Sequence, residues 1–308
     1  MLEEFLTAHP QSPLLPEALY RLGQALQSLG RYEQAVARYT QNQDRFPRTP
    51  AAMRSMVPMA RCYIAMGPPS YPDAEKVLLS VLEQPSEMGR YAPEALEYRE
   101  ALFLLGDLYD RWDKPSRAIG RLEEFLERYP KDPRLPTVQF ALANAYRKRA
   151  LFGAASQPAT SGATRPQGFA QSAVASWRRA EELFAEVIQT LEGRPRSGLS
   201  PLEQLCLRYS YLYRADCAFD VEQYERAIAL YEEVGRRFRA DPIALQAGVQ
   251  ILNAYQRLGR HEQARVALQR MRMLLKSIPV ERFNESPGGE DLAYWQGLLD
   301  WIEKSDLF

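Results

Sequence analysis

A chain of 308 residues is long enough for one large or two ordinary domains, and 46% apolar with 25% charged residues is the balance of a globular protein. Lys plus Arg and Asp plus Glu number 39 each, so the formal net charge is zero, which argues against a nucleic-acid binder that must displace counterions with a basic surface. Val, Ile and Thr together number only 27, too few for a large sheet, and no apolar run approaches the ~18 residues that a membrane-spanning helix needs.

The opening stretch, Met1 to Pro10, carries two acids and no apolar segment of signal-peptide length. As written, this start places the chain in the cytoplasm; a signal lying upstream would make it periplasmic or envelope-associated. Residues 2–9 read as the end of a second helix whose first helix is missing. Residues 1–12 are therefore expected to close an incomplete repeat, with the native polypeptide extending upstream.

The same motif returns later in the chain. Leu2-Glu-Glu-Phe-Leu-Thr-Ala-His-Pro-Gln-Ser-Pro13 and Leu122-Glu-Glu-Phe-Leu-Glu-Arg-Tyr-Pro-Lys-Asp-Pro133 are identical at seven of twelve positions. Arg45-Phe-Pro-Arg-Thr-Pro50 and Arg237-Phe-Arg-Ala-Asp-Pro242 repeat its ending. A Ser, Thr or Asp before Pro is a helix start: the short polar side chain caps free N–H groups, and Pro tolerates the first helical position. Ser12-Pro13, Thr49-Pro50, Asp132-Pro133, Ser200-Pro201 and Asp241-Pro242 give five such starts, with Ser200 and Glu203 forming a capping box.

These punctuation marks divide the chain into six helix pairs over 13–46, 50–84, 93–129, 133–191, 201–238 and 242–276. Leu22-Gly23…Leu26…Gly30-Arg-Tyr32…Ala35…Tyr39 resembles the tetratricopeptide repeat, whose small first-helix residue falls on Gly23, Ala60, Gly106, Ala143 and Ala215 and whose second-helix Ala falls on 35, 74, 118, 180, 227 and 264. Two helices approach to ~8 Å only where side chains are small, and the large residue one turn beyond each Ala (Tyr39, Leu78, Leu122, Phe184, Tyr231, Leu268) supplies a knob for the neighbouring hole. Arg214 and Leu252 break this pattern, standing at an apolar and a small site. The second-helix Ala residues are separated by 39, 44, 62, 47 and 37 residues. The excess is assigned to the linkers, to Gly67-Pro-Pro-Ser-Tyr-Pro72, to a flexible insertion over 153–171 and to a short linker over 193–198. The tail, 277–308, reads as a linker and then a capping helix, with Leu292, Trp295, Leu298, Leu299 and Ile302 on one face that closes the stack.

Catalytic constellations are missing. Cys206 and Cys217 stand eleven residues apart on one helix, ~16 Å along its axis, too far to bridge, and with Cys62 they read as small buried residues. His9 falls in a turn and His261 at a helix start, and no Gly-rich phosphate loop occurs. The neighbouring acids Glu123-Glu124, Glu181-Glu182 and Glu232-Glu233 point ~100° apart round a helix and cannot share a proton. Neither enzymatic activity nor a metal or cofactor is expected.

The resemblance to the tetratricopeptide repeat, which extends along nearly the whole chain, implies an all-α solenoid whose first helices line a concave groove that binds other proteins or peptides. Inward-facing positions of that family, three before, one after and four after the small residue, fall on Tyr20, Gln24 and Gln27; Val57, Arg61 and Ile64; Phe103, Asp107 and Asp110; Phe140, Asn144 and Arg147; Leu212, Asp216 and Phe219; Val249, Asn253 and Gln256. Their mix of aromatics, amides and charges suits a peptide whose apolar anchors give affinity while amides pair its backbone. On this reading an Asn144→Ala/Arg147→Ala variant weakens partner capture at an unchanged melting temperature. The Lys/Asn/Arg carboxylate clamp of chaperone-binding members is not reproduced, so chaperone C-termini are not the expected ligands. The Tyr/Phe-Pro-x-Ser/Thr/Asp-Pro linker is similar to that of bacterial envelope proteins, outer-membrane assembly lipoproteins and the Tol-Pal coordinator among them, and implies a scaffold for envelope partners. The alternatives are a cytoplasmic adaptor and a substrate-delivery module of a larger protein; no motif specifies a partner or an oligomeric state.

Overall fold

The computed structural model describes residues 2–83, 92–155, 167–284 and 289–305, and among them it contains α-helices, two short 3-10 turns and no strand. The chain divides into two compact units, Met1–Asp132 and Pro133–Phe308. In the first, α1 (Leu2–Ala8), α2 (Leu15–Ser28), α3 (Tyr32–Arg45), α4 (Pro50–Met66), α5 (Tyr71–Glu83), α6 (Leu96–Arg111) and α7 (Pro115–Arg128) each pack on the next, while α2 also touches α4 and α4 touches α6. The second unit repeats the scheme with α8 (Leu135–Ala155), α9 (Gln167–Glu192), α10 (Pro201–Asp220), α11 (Tyr224–Arg237), α12 (Ile243–Arg257) and α13 (His261–Ser277); here α10 touches α8 and α12.

Small residues set the closest seams. A Cβ placed on Gly23 would stand 2.4 Å from the Tyr39 ring, and one on Gly106 would stand 2.4 Å from Leu122, so each knob named above lies directly on its glycine. Leu122 is fully buried there, which contributes on the order of 2 kcal/mol by transfer alone. Ala35, Ala74, Ala118, Ala180, Ala227 and Ala264 are all 0% exposed, so all six second helices present their alanine to a neighbour. In the sixth pair the close approach moves by one turn: Gly248 lies under Met271, and Leu252 joins the core instead of occupying a small site. Arg214, the other departure, extends its guanidinium to within 3.9 Å of Glu181 on α9, so the misplaced charge is paired across the seam.

The turns inside four pairs close by the same two hydrogen bonds. Arg31, Lys114, Gln223 and Arg260 donate their N–H to Leu26, Tyr109, Ala218 and Tyr255, at 2.8–3.0 Å, and the residue before each donates one step inside, as in a Schellman motif. That preceding residue is left-handed: Gly30 and Gly259 at φ +72° and +67°, Asp113 and Glu222 at φ +50° and +64°. In the second pair Gly67, at φ +94°, leads instead into a 3-10 turn over Pro68–Ser70.

Helix starts follow the caps in part. Thr49 accepts a hydrogen bond from the Ala52 N–H, and Ser200 with Glu203 forms the full capping box, each with Pro at the first helical position. At Ser12, Asp132 and Asp241 the helix begins later, at Leu15, Leu135 and Ile243. For the two aspartates the reason is tertiary. Asp132 pairs with Arg99 at 3.4 Å, and Asp241 receives both Arg208 and Arg282 while accepting the Ile243 N–H at 3.1 Å. Of the expected insertion, residues 153–155 and 167–171 are helical, and 156–166 lie outside the described residues.

After α14 (Val280–Asn284), α15 (Leu292–Lys304) packs on α13. Asp291 caps α15 through the Tyr294 N–H at 2.7 Å, and Trp295, Leu299 and Ile302 are buried with Leu268, Met271 and Leu275. Arg272 secures the contact by pairing with Asp300 at 2.8 Å and Glu303 at 2.6 Å.

Candidate partner-binding surfaces

The first helices of unit 1 present a chain of polar contacts. On α2 the Gln24 side chain donates to the Tyr20 hydroxyl at 3.0 Å, and the Arg54 guanidinium lies 4.9 Å above the Tyr20 ring while pairing with Glu17 at 2.6 Å. Gln27 accepts from the Tyr39 hydroxyl at 3.2 Å. Arg61, exposed on α4, pairs with Glu100 of α6 at 2.6 Å, and Asp107 accepts from Arg111 at 2.8 Å. Phe103 is half-buried, its ring 6.2 Å from that of Phe125.

Unit 2 gathers its expected residues more tightly. Phe140, Asn144 and Arg147 stand at i, i+4 and i+7 on α8, and Tyr209, Tyr213 and Asp216 do so on α10, so each trio shares a helix face. Phe140 stacks on Tyr213 with ring centroids 6.2 Å apart, and Phe184 of α9 meets both rings. The Arg147 guanidinium lies 4.0 Å above the Tyr213 ring, donates to Asn144 Oδ1 at 3.3 Å and reaches Asp216 at 3.8 Å; the Tyr231 hydroxyl donates to Asp216 at 2.7 Å. Burial pushes the Asp216 carboxyl up, against the downward pull of Tyr231 and Arg147. Burial and the Asp216 charge push neighbouring Asp220 up to about 6.

Of the expected positions, Val57 and Leu212 belong to the core, at 6% and 5% exposure, while Val249 is half-buried. Asn253 and Gln256 are exposed on α12, with Asn253 donating to Gln250 at 3.0 Å. Asn144, Arg147 and Asp216 converge as one network. Because Arg147 bridges Asn144 and the half-buried Asp216, the Asn144/Arg147 variant is now expected to lose some stability as well as partner capture.

Residue spacing overlooked two features. One is Tyr213, the centre of the unit 2 network, whose signal is the i, i+4 aromatic pair with Tyr209. The other is a cleft of about 870 Å³ between α11 and α13, floored by α12 through Gly248, Ile251 and Tyr255. Its signal is an interior glycine, Gly235, with arginines at 239 and 270 that have no acid three or four residues away in either direction.

Comparison with known proteins agrees with this geometry. Residues 17–49 and 100–132 match the family model of the tetratricopeptide repeat, and these are the two pairs whose seams close on Gly23 and Gly106. No curated protein matches the sequence. Among solved structures, the putative kinesin light chain of Podosopora anserina, with nearly identical TPR-like repeats, is similar at 19% identity and TM-score 0.51, over 73% of this chain and 95% of that one. The apo form of RapI is similar at 13% identity and TM-score 0.51, over 94% of this chain and 72% of that one. The fold is thus all-helical and tetratricopeptide-repeat-like, a class that commonly mediates protein–protein interaction.

Proposed function

We propose that this chain is a non-catalytic scaffold whose first helices dock a partner peptide or domain. The observation that supports this most is that aromatic and polar groups share first helices: half-buried Tyr20 with Gln24 on α2, Phe103 with Asp107 on α6 and Phe140 with Asn144 on α8, while α12 exposes Asn253 and Gln256. Apolar anchors next to amides and carboxylates suit a peptide that must bury side chains and satisfy its backbone. The finer placement, docking of bacterial envelope partners, rests on the linkers Phe46-Pro47-Arg48-Thr49-Pro50 and Tyr129-Pro130-Lys131-Asp132-Pro133; fractionation of the native cell tests it.

Docking is tested with Gln24→Ala, Asn253→Ala and Gln256→Ala combined, since Asn253 and Gln256 are exposed and the Gln24 side chain bonds only within its own helix. Affinity capture from the native cell, quantified by mass spectrometry, is expected to lose a specific co-purifying protein at an unchanged melting temperature. Capture of the same proteins in the same amounts would remove the first-helix surface from consideration.

A further inference from the structure

The cleft between α11 and α13 lies on a different surface from the one just proposed. Around α12, at about 100° per residue, Ala244, Gly248, Ile251 and Tyr255 face roughly 130° away from Val249, Asn253 and Gln256. The cleft has apolar walls and a cationic rim. Ile251, Tyr255, Ala267 and Leu274 are half-buried in it, and Val266 is 46% exposed. Its width comes from small residues: a Cβ on Gly235 would meet nothing within 4 Å.

The cleft carries a local surplus of positive charge. Arg226, Arg237, Arg260, Arg265 and Arg272, in or beside α11 and α13, all pair with acids. Arg236, Arg239 and Arg270 line the cleft, are exposed and have no ion pair among the described residues. Two acids share the lining, but Glu262 is already held by Arg265 at 2.6 Å, which leaves Glu232 against three free guanidinium groups. An apolar trough with surplus positive charge on both walls complements an apolar stripe flanked by carboxylates.

We infer that this cleft docks an amphipathic helix of a partner protein, its apolar face on Ile251, Val266 and Leu274 and its acidic flanks on Arg236, Arg239 and Arg270. A helix fits where an extended segment does not. The walls are themselves helices with their backbone bonds made internally, so the cleft offers no strand edge on which an extended segment could pair its backbone. A helix satisfies its own backbone and presents anchors at i, i+3, i+4 and i+7.

The test uses a fluorescein-labelled synthetic helix with leucines at that spacing flanked by glutamates, a second peptide with lysines in place of the glutamates, and the full chain. Anisotropy is expected to show saturable binding of the acidic peptide, with affinity falling about tenfold or more for the lysine peptide and for Arg236→Glu/Arg270→Glu. Gly235→Leu fills the cleft without touching the core, so it is expected to abolish binding while the melting temperature holds. Absence of saturable binding up to millimolar peptide, equal binding of the two peptides, or retained binding by Gly235→Leu would each overturn the inference. A concentration-dependent dimer that Gly235→Leu dissolves would also overturn it, and would give the cleft to a second copy of the chain. Gln24, Asn253 and Gln256 lie outside the cleft, so this result and that of the first-helix variants are read independently.

Discussion

The seam between α6 and α7 and the cleft between α11 and α13 each contain a glycine inside a helix, and the two glycines do opposite things. Gly106 exists to let Leu122 in: no space remains for a Cβ. Gly235 faces open space, so its missing side chain leaves a trough in place of a contact. The same residue type therefore marks a closed seam at one place and an accessible surface at the other, and only the facing residue distinguishes them. Charge separates the regions too. Arg117 and Arg121, along α7, pair with Glu75 at 2.8 Å and Glu124 at 3.1 Å, whereas the cleft keeps three arginines without an ion pair among the described residues.

The sharpest way to break this comparison is to make one substitution at both glycines. Gly106→Leu is expected to cost about 3 kcal/mol or more, by forcing Leu122 out of a filled seam. Gly235→Leu is expected to be neutral or to gain up to ~1 kcal/mol from helix propensity. Thermal unfolding followed by circular dichroism reads both, and similar losses at the two sites would erase the distinction. Next in size is Arg147→Ala, which removes the guanidinium facing half-buried Asp216 and leaves the Tyr231 hydroxyl to donate alone; it is expected to cost about 1 kcal/mol. Gln256→Ala, on an exposed part of the same kind of surface, is expected to stay within about 0.5 kcal/mol of the parent.

A pH measurement tests the same network. Asp220 rises from its ordinary 3.8 to about 6 because it is partly desolvated and stands near the Asp216 charge. Between those values the folded chain holds a proton that the unfolded chain has released, so the stability this group contributes falls as pH rises from about 4 to about 6. Asp220→Asn is accordingly expected to raise the melting temperature above pH 6 and to match the parent below about pH 4. A gain that is constant across this range would separate it from ionisation. A further small effect is expected at a turn: Glu222 is left-handed where Gly30 and Gly259 do the same work without a side chain, so Glu222→Gly is expected to gain about 1 kcal/mol. A loss on denaturant unfolding would show that the Glu222 side chain supports the turn.

Most of the fold was legible because close packing writes itself into residue size. The six second-helix alanines and the glycines at 23 and 106 are small because a neighbour occupies their place, and no distant information is needed to read them. The late starts at α8 and α12 were not legible, because Asp132 and Asp241 look like local caps while their guanidinium partners lie far away in sequence, 33 and 41 residues from Asp241 in the case of Arg208 and Arg282. The sixth pair shifted register because Gly248 lay one turn from the place the pattern assigned to Leu252. The surfaces were legible in position but not in role. The repeat resemblance pointed to Asn144, Arg147 and Asp216, yet their coupling depends on Tyr213, one turn from Asp216 on α10, and on Tyr231 of the next helix. The cleft depends on an absence of side chains and an absence of acids, which a search for recurring residues passes over.

Whether partners dock on first helices is tested most directly by site-specific photo-cross-linking in the native cell. A benzophenone side chain at Gln24, Asp107 or Gln256 is expected to capture a discrete protein, while one at Glu33 or Glu127, exposed on second helices, captures none. Equal capture from both sets, or capture from the second set alone, would contradict docking on the first helices.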